Sequence, residues 1–298
     1  MYVLVQKARN RIIRKLTEIP FVQAQSEIFY QRALNKHLVN LPVLSASDRT
    51  LVETIKRDGV VITSLSALGI PSNPRFFEVA KKLMSEIPKS ISGQKDEFVV
   101  HASPEQLMEH PEIFLWGLEQ RLLNIVENYL GLPAAYQGVF FRRDIANEVA
   151  IKSRLWHVDL EDKKVLKIIV YLNDVNEDGG PFQYIPQSLT STIARSLKYR
   201  PRYITDEIMQ QALSPSYWKS CTGLSGTVIF AGTASIFHRG KIPVANDRFA
   251  VFFDYTSRQP RQPFYNTLSL PKKNLLLLVN NLSKTQKNCV LWQQDDKI

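Results

Sequence analysis

The sequence predicts a mostly β body flanked by α-helices, with the β part built as a sandwich or barrel. Three observations carry this. From Ala135 onward, short runs rich in β-branched and aromatic residues follow one another, punctuated by Gly and Pro. Before that point apolar residues recur at helical spacing, with stop signals where helices would end. The 298 residues, 44% hydrophobic and 22% charged, are enough to bury the core of one large domain or two modest ones.

Residues 1–40 set Ile12, Ile13, Leu16, Ile19, Phe29, Leu34 and Leu38 among basic residues, which predicts one or two amphipathic helices broken near Pro20. Ser45 to Asp48 precede an apolar-periodic run and start a helix. Asp58-Gly59 stops it, and Val60–Thr63 reads as a short strand. A second helix is expected over 74–86 and a third over 104–130, ending at Gly131. A strand is expected at Glu97–His101. His101 and His110 have no partner at metal-ligand spacing and are read as structural or surface residues. In the β half, strands are expected at Ala135–Arg143, Val165–Leu172, Phe182–Ile185, Gly226–Ala231, Ala234–His238 and Phe249–Tyr255, with an extended run at Arg154–Leu160. A mixed insert occupies about 187–220, and Leu275–Val279 predicts a helix in the tail. The domain reading is a basic helical extension over 1–44, the β domain with its helical support over 45–260, and a basic tail over 261–298.

The chemistry concentrates in Trp156-His157-Val158-Asp159. On extended chain, positions i and i+2 share a face, so His157 and Asp159 are set to grip one metal ion from one side. His238, after the strand-like run 226–231, supplies a third ligand. Two histidines and a carboxylate on one face of iron(II), with open positions opposite, form the facial triad of non-haem oxygenases. Arg248, ten residues on, is what a co-substrate with a free carboxylate needs. Of Arg142 and Arg143, strand alternation points one inward, where it can meet a substrate carboxylate or phosphate. Trp156 is a second candidate substrate contact. Tyr171 is a candidate hydrogen-bond partner for the co-substrate. Tyr199, Tyr203, Tyr217 and Trp218 make the insert a candidate lid.

These residues carry a resemblance. Trp156-His157-Val158-Asp159, the Tyr171–Phe182 strand and Asn/Asp/Gly-Pro loop, Ile185–Leu189, Phe237-His238-Arg239-Gly240 and Arg248 resemble the phytanoyl-CoA dioxygenase-like branch of the Fe(II)/2-oxoglutarate-dependent oxygenases. The resemblance extends over 45–256, most strongly from 154. It implies a double-stranded β-helix, a jelly-roll core of cupin type. It implies iron(II) on His157, Asp159 and His238, with 2-oxoglutarate and O2 as co-substrates and Arg248 on the distal carboxylate of 2-oxoglutarate. It also implies hydroxylation of an unactivated C–H of a small organic molecule, with succinate and CO2 as co-products. The same metal chemistry diverted to desaturation, epimerisation or ring formation is the alternative, and a non-catalytic β-barrel binding module the rival. Two departures stand out. Gln187 and Leu189 replace Gly and His of the family's Pro-Gly-Ser-His, with consequences expected at the pocket rim. Gly240 stands where relatives often carry a hydroxyl residue. The carboxylate at Asp159 disfavours halogenation, since halogenating relatives carry a small residue there.

Net charge is +10, yet residues 1–36 and 258–298 each hold +5, and the middle balances 24 basic against 24 acidic residues. No nucleic-acid partner is therefore expected, because the catalytic body lacks the basic excess that a phosphate backbone recruits. The basic ends suit an acidic partner or an anionic membrane surface. No apolar run approaches the roughly 20 residues of a membrane span, and the N-terminus lacks the apolar core of a signal peptide. Cys221 and Cys289 are expected to be free thiols in a reducing compartment, which makes the expected location cytoplasmic.

Overall fold

The computed structural model describes residues 19–262 and 268–294. Helix α1, Pro20–His37, opens the described chain. Ile12, Ile13 and Leu16 lie outside the described residues. The amphipathic reading does not hold for the part that is described: α1 buries no residue, and Phe21 and Phe29 are exposed. Polar contacts clip it to the body instead, His37 to Glu127 at 2.6 Å and Glu27 to Lys163 at 2.5 Å.

Helix α2, Ala46–Asp58, is capped as expected: Ser45 Oγ accepts from the Asp48 amide at 3.1 Å. Gly59 ends it at φ +88°, where a side chain would also collide with Ile236. Strand β1, Val60–Ser64, follows, then the short α3, Leu65–Leu68, and α4, Asn73–Glu86. After β2, Val99–His101, the single helix expected over 104–130 is three: α5 Pro104–Glu109, α6 Pro111–Trp116 and α7 Gln120–Leu130. Two local facts break it. Pro111 cannot continue the α5 ladder. Gly117 is pressed against the Tyr136 and Phe253 rings, and its carbonyl accepts from Tyr255 Oη at 2.6 Å.

Seven strands complete the β part: β3 Ala134–Asp144, β4 Leu166–Tyr171, β5 Phe182–Tyr184, β6 Lys219–Cys221, β7 Thr227–Ala231, β8 His238–Gly240 and β9 Arg248–Ser257. They form an antiparallel sheet in the order β1-β7-β4-β9-β3-β2 and a smaller one in the order β6-β5-β8. The expected strand at Ala234–His238 is displaced: β8 begins at His238, and 233–237 turns into it. Arg154–Leu160 is not a continuous strand but makes isolated bridges through Trp156 and His157.

Alternation divides the large sheet between two tasks. One face, with Phe141, Ile168, Val170, Phe230, Val251 and Phe253, packs on α2, α4, α6 and α7 as the main core. Phe76 stacks on Trp116 there at 4.5 Å, and Phe253 tilts against both at 5.8 and 4.8 Å. The other face joins the small sheet, with Ile169, Tyr171 and Ile229 against Phe182 and Cys221. The same second face also carries Arg142 and Asp144 on β3, Lys167 on β4 and Arg248 and Asp254 on β9, with Asp144 opposite Arg248 and Lys167 opposite Asp254. The site lies among these residues. The insert adds α8 (Gln187–Ser196) and α9 (Asp206–Gln210), and the tail adds α10 (Lys272–Leu278) and α11 (Lys284–Val290), which bury Leu275, Cys289 and Val290 in the main core. Helical residues outnumber strand residues in the described chain, so the molecule is a mixed α and β structure with antiparallel sheets rather than mostly β.

Candidate functional site

His157 and His238 are antiparallel bridge partners. His157 N donates to His238 O at 3.1 Å, and His238 N donates to His157 O at 2.9 Å. This two-way bond sets the imidazoles 4.3 Å apart, centre to centre. Asp159 N donates to Thr233 O at 3.1 Å, which brings its carboxylate to the same place. Asp159 Oδ1 is 3.7 Å from Nε2 of each histidine, and one ligand atom from each residue falls within 4.8 Å of the other two. The i, i+2 argument thus reaches the right geometry from a bridge rather than a strand. The segment before it is anchored by Arg154, buried and donating to the carbonyls of Phe98 (2.9 Å), Val149 (3.0 Å) and Ile145.

The donor set fits a divalent transition metal. Each Nδ1 lies against the carbonyl two residues back, His157 against Leu155 O at 2.8 Å and His238 against Ile236 O at 3.3 Å. Protonated Nδ1 leaves the Nε2 lone pairs free as ligands. Burial holds both imidazoles below their ordinary pKa, His238 down to about 3 with His157 as the next cause. Asp159 stays ionised: burial pushes its carboxyl up, but Lys167, then the histidines, hold it well below the usual range. Lys167 Nζ sits 3.0 Å from Asp159 Oδ2 and 3.4 Å from Asp254 Oδ2, its direct cross-strand partner. Oδ2 is thereby turned to the lysine and Oδ1 to the imidazoles. Glu161, close by, is pushed up to about 7 by burial and then by Asp159.

A cavity of about 180 Å³ opens from His157 and His238 and runs past Phe182, Phe252 and Lys167 to Arg142 and Arg248. Arg248 is fully buried, donating from Nε (3.2 Å) and Nη2 (2.8 Å) to Asp144 Oδ2 and from Nη1 to the Gly180 carbonyl. Arg142 binds the same carboxylate from its other side, Nε to Oδ2 at 3.0 Å and Nη2 to Oδ1, with its guanidinium over the Phe252 ring. Burial raises the Asp144 carboxyl, but the two arginines outweigh it and hold the group well below the usual carboxylate range. Two cations on one anion leave this corner positive.

The structure brings His157, His238, Arg248 and Arg142 to one cavity, and Asp159, which lines the neighbouring hollow, clusters with the two histidines. Arg143 faces away, to Asp247 at 2.5 Å. Two other assignments need correction. Trp156 has no exposed surface: its Nε1 donates to Asp206 Oδ1 at 2.9 Å, and Arg239 and Trp218 pack on its ring, so it is core of the insert rather than a substrate contact. Tyr171 Oη donates to Cys221 O and accepts from Phe182 N, both at 2.9 Å, so its proton is spent inside the protein and is not offered to a co-substrate. Gln187 and Leu189 do not touch the cavity rim. Gln187 Nε2 donates to Lys56 O at 3.1 Å, and Leu189 packs in the insert core. Of the insert's aromatic residues, Tyr203 packs edge-on to His157 at 5.2 Å, and Tyr199 joins it in walling a second hollow of about 250 Å³ over 157–161. Sequence reasoning passed over Asp144, Lys167 and Asp254, and it read His101, which also lines the first cavity, as a structural or surface residue. A lysine inside Val-Leu-Lys-Ile-Ile-Val was the available signal.

No family model and no curated protein matches the chain in sequence. Solved structures do match it. SnoK, a non-heme alpha ketoglutarate dependent carbocyclase from nogalamycin biosynthesis, is 16% identical, with TM-score 0.50 over 72% of this chain and 85% of that one. EctD from S. alaskensis, solved with 2-oxoglutarate and 5-hydroxyectoine, is 18% identical, with TM-score 0.49 over 73% and 78%. HygX from Streptomyces hygroscopicus, solved with nickel and 2-oxoglutarate, is 14% identical, with TM-score 0.47 over 72% and 88%. The likeness to SnoK is one of fold.

Proposed function

We propose that the chain is an Fe(II)/2-oxoglutarate-dependent oxygenase that hydroxylates an unactivated C–H of a small organic molecule. The observation that supports it is a cavity with His157 and His238, clustered with the Asp159 carboxylate, on one side and the net-positive pair of Arg142 and buried Arg248 on the other. The fold shared with SnoK raises the weight of this reading without carrying it. On the same reading the two facing sheets are a double-stranded β-helix, residues 45–260 are the oxygenase domain, and the family is the phytanoyl-CoA dioxygenase-like one.

In this proposal His157, Asp159 and His238 hold the iron and Arg248 takes the distal carboxylate of 2-oxoglutarate. Iron held there supplies the oxidising power to break the C–H bond, with one atom of O2 entering the alcohol and the other entering succinate as CO2 leaves. The chain's own work is positional. The Leu155 and Ile236 carbonyls fix the imidazole tautomers. Lys167 keeps Asp159 ionised and one of its oxygens turned away. Phe182 and Phe252 give the cavity apolar wall beside the imidazoles and the arginines. The charge-assisted pair at Arg248 contributes on the order of 1.5–3 kcal/mol to co-substrate binding.

The test is succinate formation from 2-oxoglutarate with Fe(II) and ascorbate, without a primary substrate. Slow uncoupled turnover that vanishes in Asp159→Ala is expected. A wild-type chain that makes no succinate would instead be a binding module. Product analysis with a turned-over substrate then separates hydroxylation from desaturation, epimerisation or ring formation.

A further inference from the structure

We propose that Asp144 is a positioning residue for co-substrate choice: it holds Arg248 side-on so that the guanidinium keeps donors for one ligand carboxylate, selecting a dicarboxylic 2-oxo acid over a monocarboxylic one. This rests on the function proposed above and adds a residue to it. The geometry begins with register. Asp144 and Arg248 face each other as direct partners on β3 and β9, so the pair is set by the sheet rather than by a loop. Asp144 Oδ2 takes the Nε and Nη2 donors along one edge of the guanidinium, and the Gly180 carbonyl takes one from Nη1. A guanidinium has five N–H groups, so these bonds leave donors on the terminal nitrogens. Tyr171 Oη flanks the group too: it donates to Cys221 O and accepts from Phe182 N, and its remaining lone pair can take at most one of the spare Arg248 donors.

Gly240 keeps the terminal nitrogens approachable. A Cβ there would stand 3.0 Å from Nη2 and 3.7 Å from Nη1. The absence of a hydroxyl side chain at 240 is therefore matched by space at the arginine. Charge points the same way. Arg142 closes on the far side of Asp144, giving two guanidiniums to one carboxylate. The cluster lacks one negative charge, and a single ligand carboxylate supplies it. Without Asp144 the side chain of Arg248 has no strand-borne partner to fix its plane, and Arg142 repels it. A 2-oxo acid with no distal carboxylate makes no use of this corner, so its binding is indifferent to Asp144.

The experiment measures anaerobic binding of 2-oxoglutarate and of pyruvate to the Fe(II)-loaded full chain by calorimetry, for wild type, Asp144→Asn and the double variant Arg142→Met with Asp144→Asn. The double variant keeps the cluster's net charge of +1 while removing the clamp, and it avoids leaving two unpaired buried cations, so it serves if the single variant does not fold. Wild type should prefer 2-oxoglutarate. Both variants should weaken 2-oxoglutarate tenfold or more and change pyruvate less than twofold. Tighter or unchanged 2-oxoglutarate binding in the variants overturns the positioning role, since Asp144 would then be a competitor or a bystander. Wild type that binds no 2-oxoglutarate overturns the oxygenase reading itself.

Discussion

The two ends of the cavity are built on opposite plans. At the metal end, two of three side chains come from irregular chain: His157 from a lone bridge to His238, the first residue of β8, and Asp159 beyond it, held by one backbone bond to Thr233. The imidazoles are neutral, and their Nε2 atoms lack protein partners among the described residues. At the arginine end, the groups stand on two long, directly paired strands, and every charge is already engaged with another. The first end is unfinished without a ligand; the second is finished in itself and has donors to spare. Such a division suits a site whose chemistry lies in a bound metal and whose selectivity lies in preset protein groups.

The contrast breaks most visibly at the metal end. Asp159→Ala or His238→Ala should cut succinate formation by more than about a thousandfold, because loss of a partner one shell further out already costs roughly 10–100-fold. The fold should survive, since Lys167 retains Asp254 at 3.4 Å. Far-ultraviolet circular dichroism alongside the assay checks both halves, and an active Asp159→Ala enzyme ends the metal-site reading.

At the arginine end the larger effect is on stability. Asp144→Asn leaves buried Arg248 and part-buried Arg142 facing each other unpaired, a loss of about 3–5 kcal/mol at pH 7 by analogy with broken buried pairs. The pH dependence sharpens this. A carboxyl held below its ordinary value contributes stability that is complete above the unfolded pKa, near 3.9, and lost as pH falls through the folded value. The difference in urea midpoint between wild type and Asp144→Asn should therefore be flat above about pH 5 and shrink below pH 4. A gap that widens in acid contradicts the pairing. Arg248→Met is the milder change for the fold, because Asp144 keeps Arg142. Its effect should appear as a KM for 2-oxoglutarate raised about 10–150-fold, the equivalent of 1.5–3 kcal/mol, with the fold intact.

Much of this was readable before any coordinates. His157, Asp159 and His238 declare themselves because ligand chemistry admits few residue types, and short spacing on extended chain leaves little freedom. Helix α2 was legible from Ser45 to Gly59 because both ends carry local capping chemistry. What stayed hidden depends on partners distant in sequence. Asp144 ends a strand beside two arginines and reads as surface; only pairing with β9 buries it against Arg248, 104 residues away. The break at Gly117 is imposed by Tyr136 and Phe253, which no local pattern announces. Trp156 looked like a wall of the site because it neighbours a ligand, yet alternation turns it into the insert, toward Asp206. The double-stranded β-helix, by contrast, came from family resemblance, not from periodicity.

Tyr171 gives the smallest test, and it bears on where the arginine end stops. Its hydroxyl was a candidate contact for the co-substrate, but Cys221 O and Phe182 N already use it on the apolar side of the inner face. If the hydroxyl belongs to the frame, Tyr171→Phe removes one buried hydrogen-bond pair and strands a carbonyl and an amide. That should lower stability by about 1–3 kcal/mol. KM for 2-oxoglutarate should change less than about threefold, well short of the loss expected for a missing charged partner. If the hydroxyl instead reaches the ligand, the order reverses, with KM rising and stability barely moving. Thermal unfolding and a KM determination on one variant therefore decide whether the selective corner consists of Arg248 and its carboxylate clamp or extends one residue further along β4.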